Sequence, residues 1–255
     1  MFETISKPGC KVGTRRRGAS EAVGGRTLKK CGAFTLVELI VVISIIALLI
    51  SILLPALSKA NKLAACSRTR ARLAELAAGC IVYHDDNGYY PGQQYHSELI
   101  GDGGNFTGSQ WLAKALFTDP STSPSFPRAK YAPLHVEDDL FEYQNGGGNT
   151  YPDTISDRDD TAGIPMPVLY YPARLGVSGL GQYKEADNSP YTQGVAWQYP
   201  SDDTTGGQTP FEKYIKDRRF DGNNSTTPYR PQEFLMIAAG MDRKYGTKDD
   251  IKYGW

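Results

Sequence analysis

The chain is expected to fold as an α+β protein, with one long N-terminal transmembrane helix packed on a small antiparallel sheet with large irregular loops. Three observations lead there. Phe34 to Leu54 is a run of 21 residues with one ionisable side chain, Glu38. Beyond Pro55 the apolar residues switch to the one-sided spacing of an amphipathic helix. The rest is rich in Gly, Pro, Asn, Ser and Asp, and few stretches read as strands, so the sheet must be small.

The apolar run comes first. A helix of that length is about 31 Å long at 1.5 Å per residue, which matches the hydrocarbon core of a bilayer. The core helix of a soluble protein is the competing reading, but no other apolar run here is large enough to surround it. A charged acid at the bilayer centre costs roughly 2.5–3.5 kcal/mol or more, so Glu38 should have a partner or a task. Pro55 has no N–H to donate within a helix and is expected to bend it.

The residues before the run are basic. Residues 1–33 carry eight Lys or Arg and two Glu, a net charge of +6, while the remainder carries −6 and the whole chain is neutral. A basic stretch before an apolar segment reads as targeting and stays outside the fold. No later stretch joins basic residues to interleaved aromatics, so no nucleic-acid partner is expected. Charge alone sets the orientation weakly: within about 20 residues of the run, six Lys or Arg lie on the leader side against five beyond it.

The string Phe34-Thr35-Leu36-Val37-Glu38-Leu39, the basic leader, the apolar length and Pro55 together resemble type IV pilins and the pseudopilins of type II secretion. In that family the leader is cut just before a Phe, the Phe is N-methylated, and a Glu lies four residues on. Many family helices also carry a kinking proline near the position of Pro55. The resemblance implies cleavage between Ala33 and Phe34, where the family more often has Gly; here Gly32 stands one place earlier. It further implies an assembly role for Glu38 and a structural rather than catalytic protein. The implied partners are a prepilin peptidase/methyltransferase, other pilin or pseudopilin subunits, the secretion or pilus assembly machinery, and membrane lipid. The implied location is a single pass of the bacterial inner membrane with the later residues extracytoplasmic. An alternative is a membrane-anchored surface or binding protein that shares the leader without building a major filament.

The expected order is a leader at 1–33, a membrane helix at 34–54, its amphipathic continuation at 55–83 and a globular domain at 84–255. In the continuation, Cys66, Leu73 and Cys80 recur every seven residues with Leu76 and Tyr83 beside them, and Arg68, Arg72 and Glu75 lie opposite. If unbroken, residues 34–83 would extend about 75 Å. His84-Asp85-Asp86-Asn87-Gly88 should stop the helix. Beyond it, short helices are expected at 110–117 and 211–217, and strands at 167–171, 195–199 and 234–238. All 16 tyrosines lie at position 83 or later and, with Trp111 and Trp197, argue for packing rather than a disordered linker. Cys66 and Cys80 are about 21 Å apart along one helix, too far for a disulfide, and read as small apolar residues.

Catalytic signatures are missing. His84, His96 and His135 show no metal-ligand spacing, and the HExxH, CxxC, GxSxG and Walker patterns do not occur. Asp153, Asp157, Asp159 and Asp160 read as solvated acids. Near the end, Phe234 to Gly240 leads into a loop with Asp242, Asp249 and Asp250, followed by Ile251 and Trp255. Carboxylates and carbonyls on a flexible turn suit calcium. The loop is similar to the calcium-holding C-terminal loop of the major type II secretion pseudopilin, which implies Ca²⁺ with Asp249 and Asp250 as the better ligands and Asp242 as the weaker. An ordinary Asp/Gly turn closing the sheet is the other reading.

Overall fold

The computed structural model describes residues 35–117, 131, 141–143, 148–150, 166–219 and 221–255. The leader, Gly32, Ala33, Phe34, His135 and the acids at 153–160 lie outside the described residues. The chain divides into two units, residues 1–50 and 51–255.

Helix α1, Leu36–Asn87, begins in the first unit and continues into the second, where Pro55 lies within it. In the first unit its residues from 36 to 50 are exposed on every side, including Leu39, Ile43 and Ile46. A soluble core helix would be covered, so the exposure fits a membrane segment. α1 ends four residues beyond the expected Tyr83. Gly88 stops it by taking a left-handed φ of +80°, and its N–H donates to the His84 carbonyl at 2.7 Å. Asn87 Nδ2 donates to the Tyr83 carbonyl at 2.8 Å, so the last turn closes on itself.

In the second unit one face of α1 is buried, carrying Cys66, Thr69, Leu73, Leu76, Ala77, Gly79, Cys80 and Tyr83. This is the expected seven-residue stripe, and both cysteines are free and buried. α2, Gly108–Phe117, packs Leu112 and Leu116 into the same core. Strands β3 (Leu169–Pro172), β4 (Phe234–Ala238) and β5 (Ile251–Lys252) form an antiparallel sheet in that order. A separate hairpin joins β1, Phe141–Tyr143, to β2, Gly148–Thr150, where the sequence suggested no strand.

The sheet is covered on both faces. Phe234, Met236 and Ala238 of β4 join the core with α1 and α2, whereas Leu235, Ile237 and Ala239 join a second core with Tyr171, Trp197, Phe211 and Tyr214. A strand buried on both faces reads as a continuous apolar run, which is why no clean alternation marked it. β3 lies at an edge of the three-stranded sheet, and side chains satisfy one carbonyl within it and one just before it. Ser109 Oγ donates to Val168 O at 2.7 Å and Asn188 Nδ2 to Tyr170 O at 2.8 Å.

That contact brings α2 so near β3 that a Cβ at Gly108 would overlap the Tyr170 carbonyl oxygen. Gly108→Ala is therefore expected to lose about 3 kcal/mol by overpacking against backbone. Urea melts of the detergent-solubilised chain, followed by tryptophan fluorescence, check this; an unchanged midpoint would contradict the close approach.

α3, Ser189–Thr192, and α4, Pro210–Ile215, lie over the second core. α4 starts one residue before the expected 211, with Thr209 and Glu212 forming a capping box, and ends two residues early. The strand expected at 195–199 does not form. That segment is an extended loop with one backbone bond to the neighbouring loop, Gln198 N–H to Gly246 O at 2.6 Å. The buried Trp197 ring, 5.0 Å from Phe211 and hydrogen-bonded to Glu185, anchors it instead of a ladder.

Candidate functional site

At the start of α1, the first N–H groups of the helix have no carbonyl partners within it and need acceptors. Thr35 and Glu38 supply them reciprocally. Glu38 N–H donates to Thr35 Oγ1 at 3.2 Å, and Glu38 Oε2 accepts from Thr35 N–H at 2.9 Å and from the Thr35 hydroxyl at 2.8 Å. This is a capping box, and it also places a carboxylate at the positive end of the helix dipole. Farther along, Ser44 Oγ donates to Ile40 O at 2.7 Å, so that hydroxyl also finds its partner within the helix.

The carboxylate of Glu38 thus has an intramolecular partner at the edge of the apolar segment. The sequence reading singled out Glu38 but missed Thr35. Its signal was the Thr-x-x-Glu spacing, which marks a helix start in soluble and membrane proteins alike. Pro55 lies inside α1, and α1 continues on both sides of it.

The second candidate is the loop between β4 and β5. Asp249 Oδ2 accepts from Asp242 N–H at 3.1 Å, and Asp249 Oδ1 accepts from the Thr247 hydroxyl at 2.6 Å. Burial raises the Asp249 carboxyl, but Thr247 and the N–H groups of Asp242, Asp249 and Met241 outweigh it and hold it below its ordinary value. The Asp242 carboxylate instead accepts from Lys244 N–H at 2.9 Å, a local turn.

Asp250 turns to α4. Its Oδ2 accepts from Gly246 N–H at 2.8 Å, from Thr247 N–H at 3.1 Å and from the Tyr214 hydroxyl. Burial pushes Asp250 up to about 6, against those bonds and the nearby Lys252. Lys252 Nζ lies 3.8 Å from the centre of the Tyr214 ring and 4.3 Å from that of Trp255, and burial lowers it to about 8.

Asp249 Oδ1 and Asp250 Oδ1 both lie near the Thr247 hydroxyl, at 2.6 and 3.5 Å, whereas the Asp242 carboxylate is engaged at Lys244 N–H. Among the described residues no group of three or more His, Cys, Asp or Glu side chains is placed to hold a metal. The groups that hydrogen-bond to Asp249 and Asp250 are N–H and O–H donors of the same loop and of Tyr214.

Comparison with known proteins bears on the first site. Residues 28–54 match the prokaryotic N-terminal methylation motif. The motif is typical of type IV pilin and pseudopilin precursors, and it spans Gly32, Ala33, Phe34 and Glu38. No curated protein and no solved structure matched the chain. The prepilin-type motif and the long helix that follows it support a prepilin-like structural subunit, and the motif implies processing by a prepilin peptidase/methyltransferase. The exposed apolar part of α1 is consistent with a single inner-membrane pass of the prepilin kind.

Proposed function

We propose that the chain is a subunit of a type II secretion pseudopilus or a type IV pilus, cut between Ala33 and Phe34 and methylated on the new amine. The observation that carries this reading is the methylation motif lying directly on the capped start of an exposed apolar helix. In the membrane the apolar side chains face lipid. In a filament the same side chains, with Leu36, Leu39, Ile43 and Ile46 among them, pack against other subunits. Glu38 then pairs with the α-amine of a neighbouring Phe34, and Pro55 bends the helix as it enters the bundle. The residues beyond α1 form the outer surface, and its partners are other subunits and the assembly machinery.

Processing is the direct test. N-terminal sequencing or intact mass of protein taken from the native membrane is expected to give a chain beginning at Phe34 with one added methyl group. Exclusive retention of residues 1–33, or a start at another residue, would remove the assignment.

A further inference from the structure

The loop between β4 and β5 has acids at calcium-like spacing but an environment of the opposite polarity. A calcium site supplies about six to eight oxygen ligands from carboxylates, carbonyls and waters. Here Asp249 accepts hydrogen bonds on both carboxylate oxygens, and Asp250 accepts three on Oδ2. An ion at Asp249 would compete with the Asp242 N–H and the Thr247 hydroxyl, and an ion at Asp250 Oδ2 would compete with two backbone N–H groups and Tyr214. Such charge-assisted bonds are among the stronger ones in proteins.

We propose that this loop is a metal-independent clasp, in which Asp249 and Asp250 close the turn by binding its own N–H and O–H groups in place of a shared cation. The positive charge that a metal would have supplied comes from the Lys252 ammonium, held between the rings of Tyr214 and Trp255 near Asp250. Gly240 completes the arrangement, because a Cβ there would collide with the Asp249 carboxylate. Asp250 and Tyr214 fasten the loop to α4, so the clasp joins the end of the sheet to the second core.

Lys244 and Lys248 are exposed within the loop and report its opening to trypsin. The test uses the full chain in detergent, with EGTA or with about 10 mM calcium, a concentration above the weakest extracellular sites. Wild-type cleavage at these two lysines is expected to agree within about twofold between the two conditions. Asp249→Ala is expected to be cut about tenfold faster in both, through local opening. Cleavage after Lys114 on α2 monitors global unfolding and is expected to stay at the wild-type rate.

Should Asp249→Ala unfold altogether, Gly240→Ala carries the test. It crowds the Asp249 carboxylate while keeping every acid, and is expected to speed loop cleavage in EGTA and in calcium alike. Two results overturn the clasp. One is strong calcium protection of the wild type that Asp249→Ala abolishes. The other is loop cleavage of Asp249→Ala and Gly240→Ala no faster than wild type. Neither readout depends on filament assembly, so the clasp and the proposed function stand or fall separately.

Discussion

Glu38→Ala is expected to leave the chain inserted in the membrane and cut before Phe34, yet to lower its recovery in sheared filaments by about tenfold or more. The scale follows from pairing in a poorly solvated interior, where 1.4 kcal/mol at each subunit contact is already tenfold. The capping box sharpens the test, because Glu38 has two separable tasks. Its Oε2 accepts Thr35 N–H, a role a neutral amide oxygen can also fill, whereas pairing with an α-amine needs the charge. Glu38→Gln is therefore expected to keep the cap and still fail in assembly. Glu38→Asp should be intermediate because its shorter arm reaches less well. Wild-type recovery of Glu38→Gln, at normal membrane levels, would show that capping alone is what the position requires.

The largest effect on folding is expected at Asp203. Lys216 and Asp203 have fully buried side chains, with Lys216 Nζ 3.0 Å from Asp203 Oδ2. Lys216 Nζ also donates to the Asn223 carbonyl at 2.7 Å, and Arg218 reaches the same Asp203 oxygen at 2.7 Å. Thr205 N–H completes the set at Asp203 Oδ1, 3.2 Å away. A buried ion pair is weak evidence of net stability, since desolvating both charges opposes their attraction. Breaking it from one side is another matter. Asp203→Ala leaves the buried Lys216 charge without its counter-ion and is expected to lose about 3–5 kcal/mol. That is a large share of the roughly 5–15 kcal/mol that holds a typical domain.

Removing both charges at once, as Asp203→Leu with Lys216→Met, should recover most of that loss. All three tryptophans lie in the second unit, so their fluorescence in urea reads this comparison directly. A loss below about 1 kcal/mol for Asp203→Ala would mean that water reaches Lys216.

The same cluster gives a pH dependence of known sign. Burial raises the Asp203 carboxyl, but bonds from Arg218, Lys216 and Thr205 outweigh it and hold it well below its ordinary 3.8. The unfolded chain therefore binds a proton first as pH falls. The stabilisation is complete above about pH 4 to 5 and is lost as pH drops through the folded value. Wild type should lose this component in acid, and Asp203→Ala should lack it.

Much of the α1 story is local, and local patterns are legible. The apolar run from Phe34, the lone acid at Glu38, the seven-residue stripe of Cys66, Leu73 and Cys80, and the stop at Asn87-Gly88 need only neighbours within a turn or two. β4 was legible for a related reason, since five consecutive buried apolar residues leave little choice. Thr35 was equally local, and its capping spacing was present to be read.

The sequence by itself determined the anchor, the prepilin-type motif around Phe34, the packing face of α1 and the presence of a small sheet. Tertiary structure alone decided the rest. The ring of Trp197 overrode strand propensity at 195–199 by anchoring a loop across residues far apart in the chain. The partnership of Lys216 with Asp203 spans thirteen positions and an intervening helix, and no periodicity records it. The loop acids show the limit most clearly. Spacing placed Asp242, Asp249 and Asp250 in one short stretch, but which N–H and hydroxyl groups their oxygens accept from depends on backbone direction. The packing of β4, β5 and α4 sets that direction.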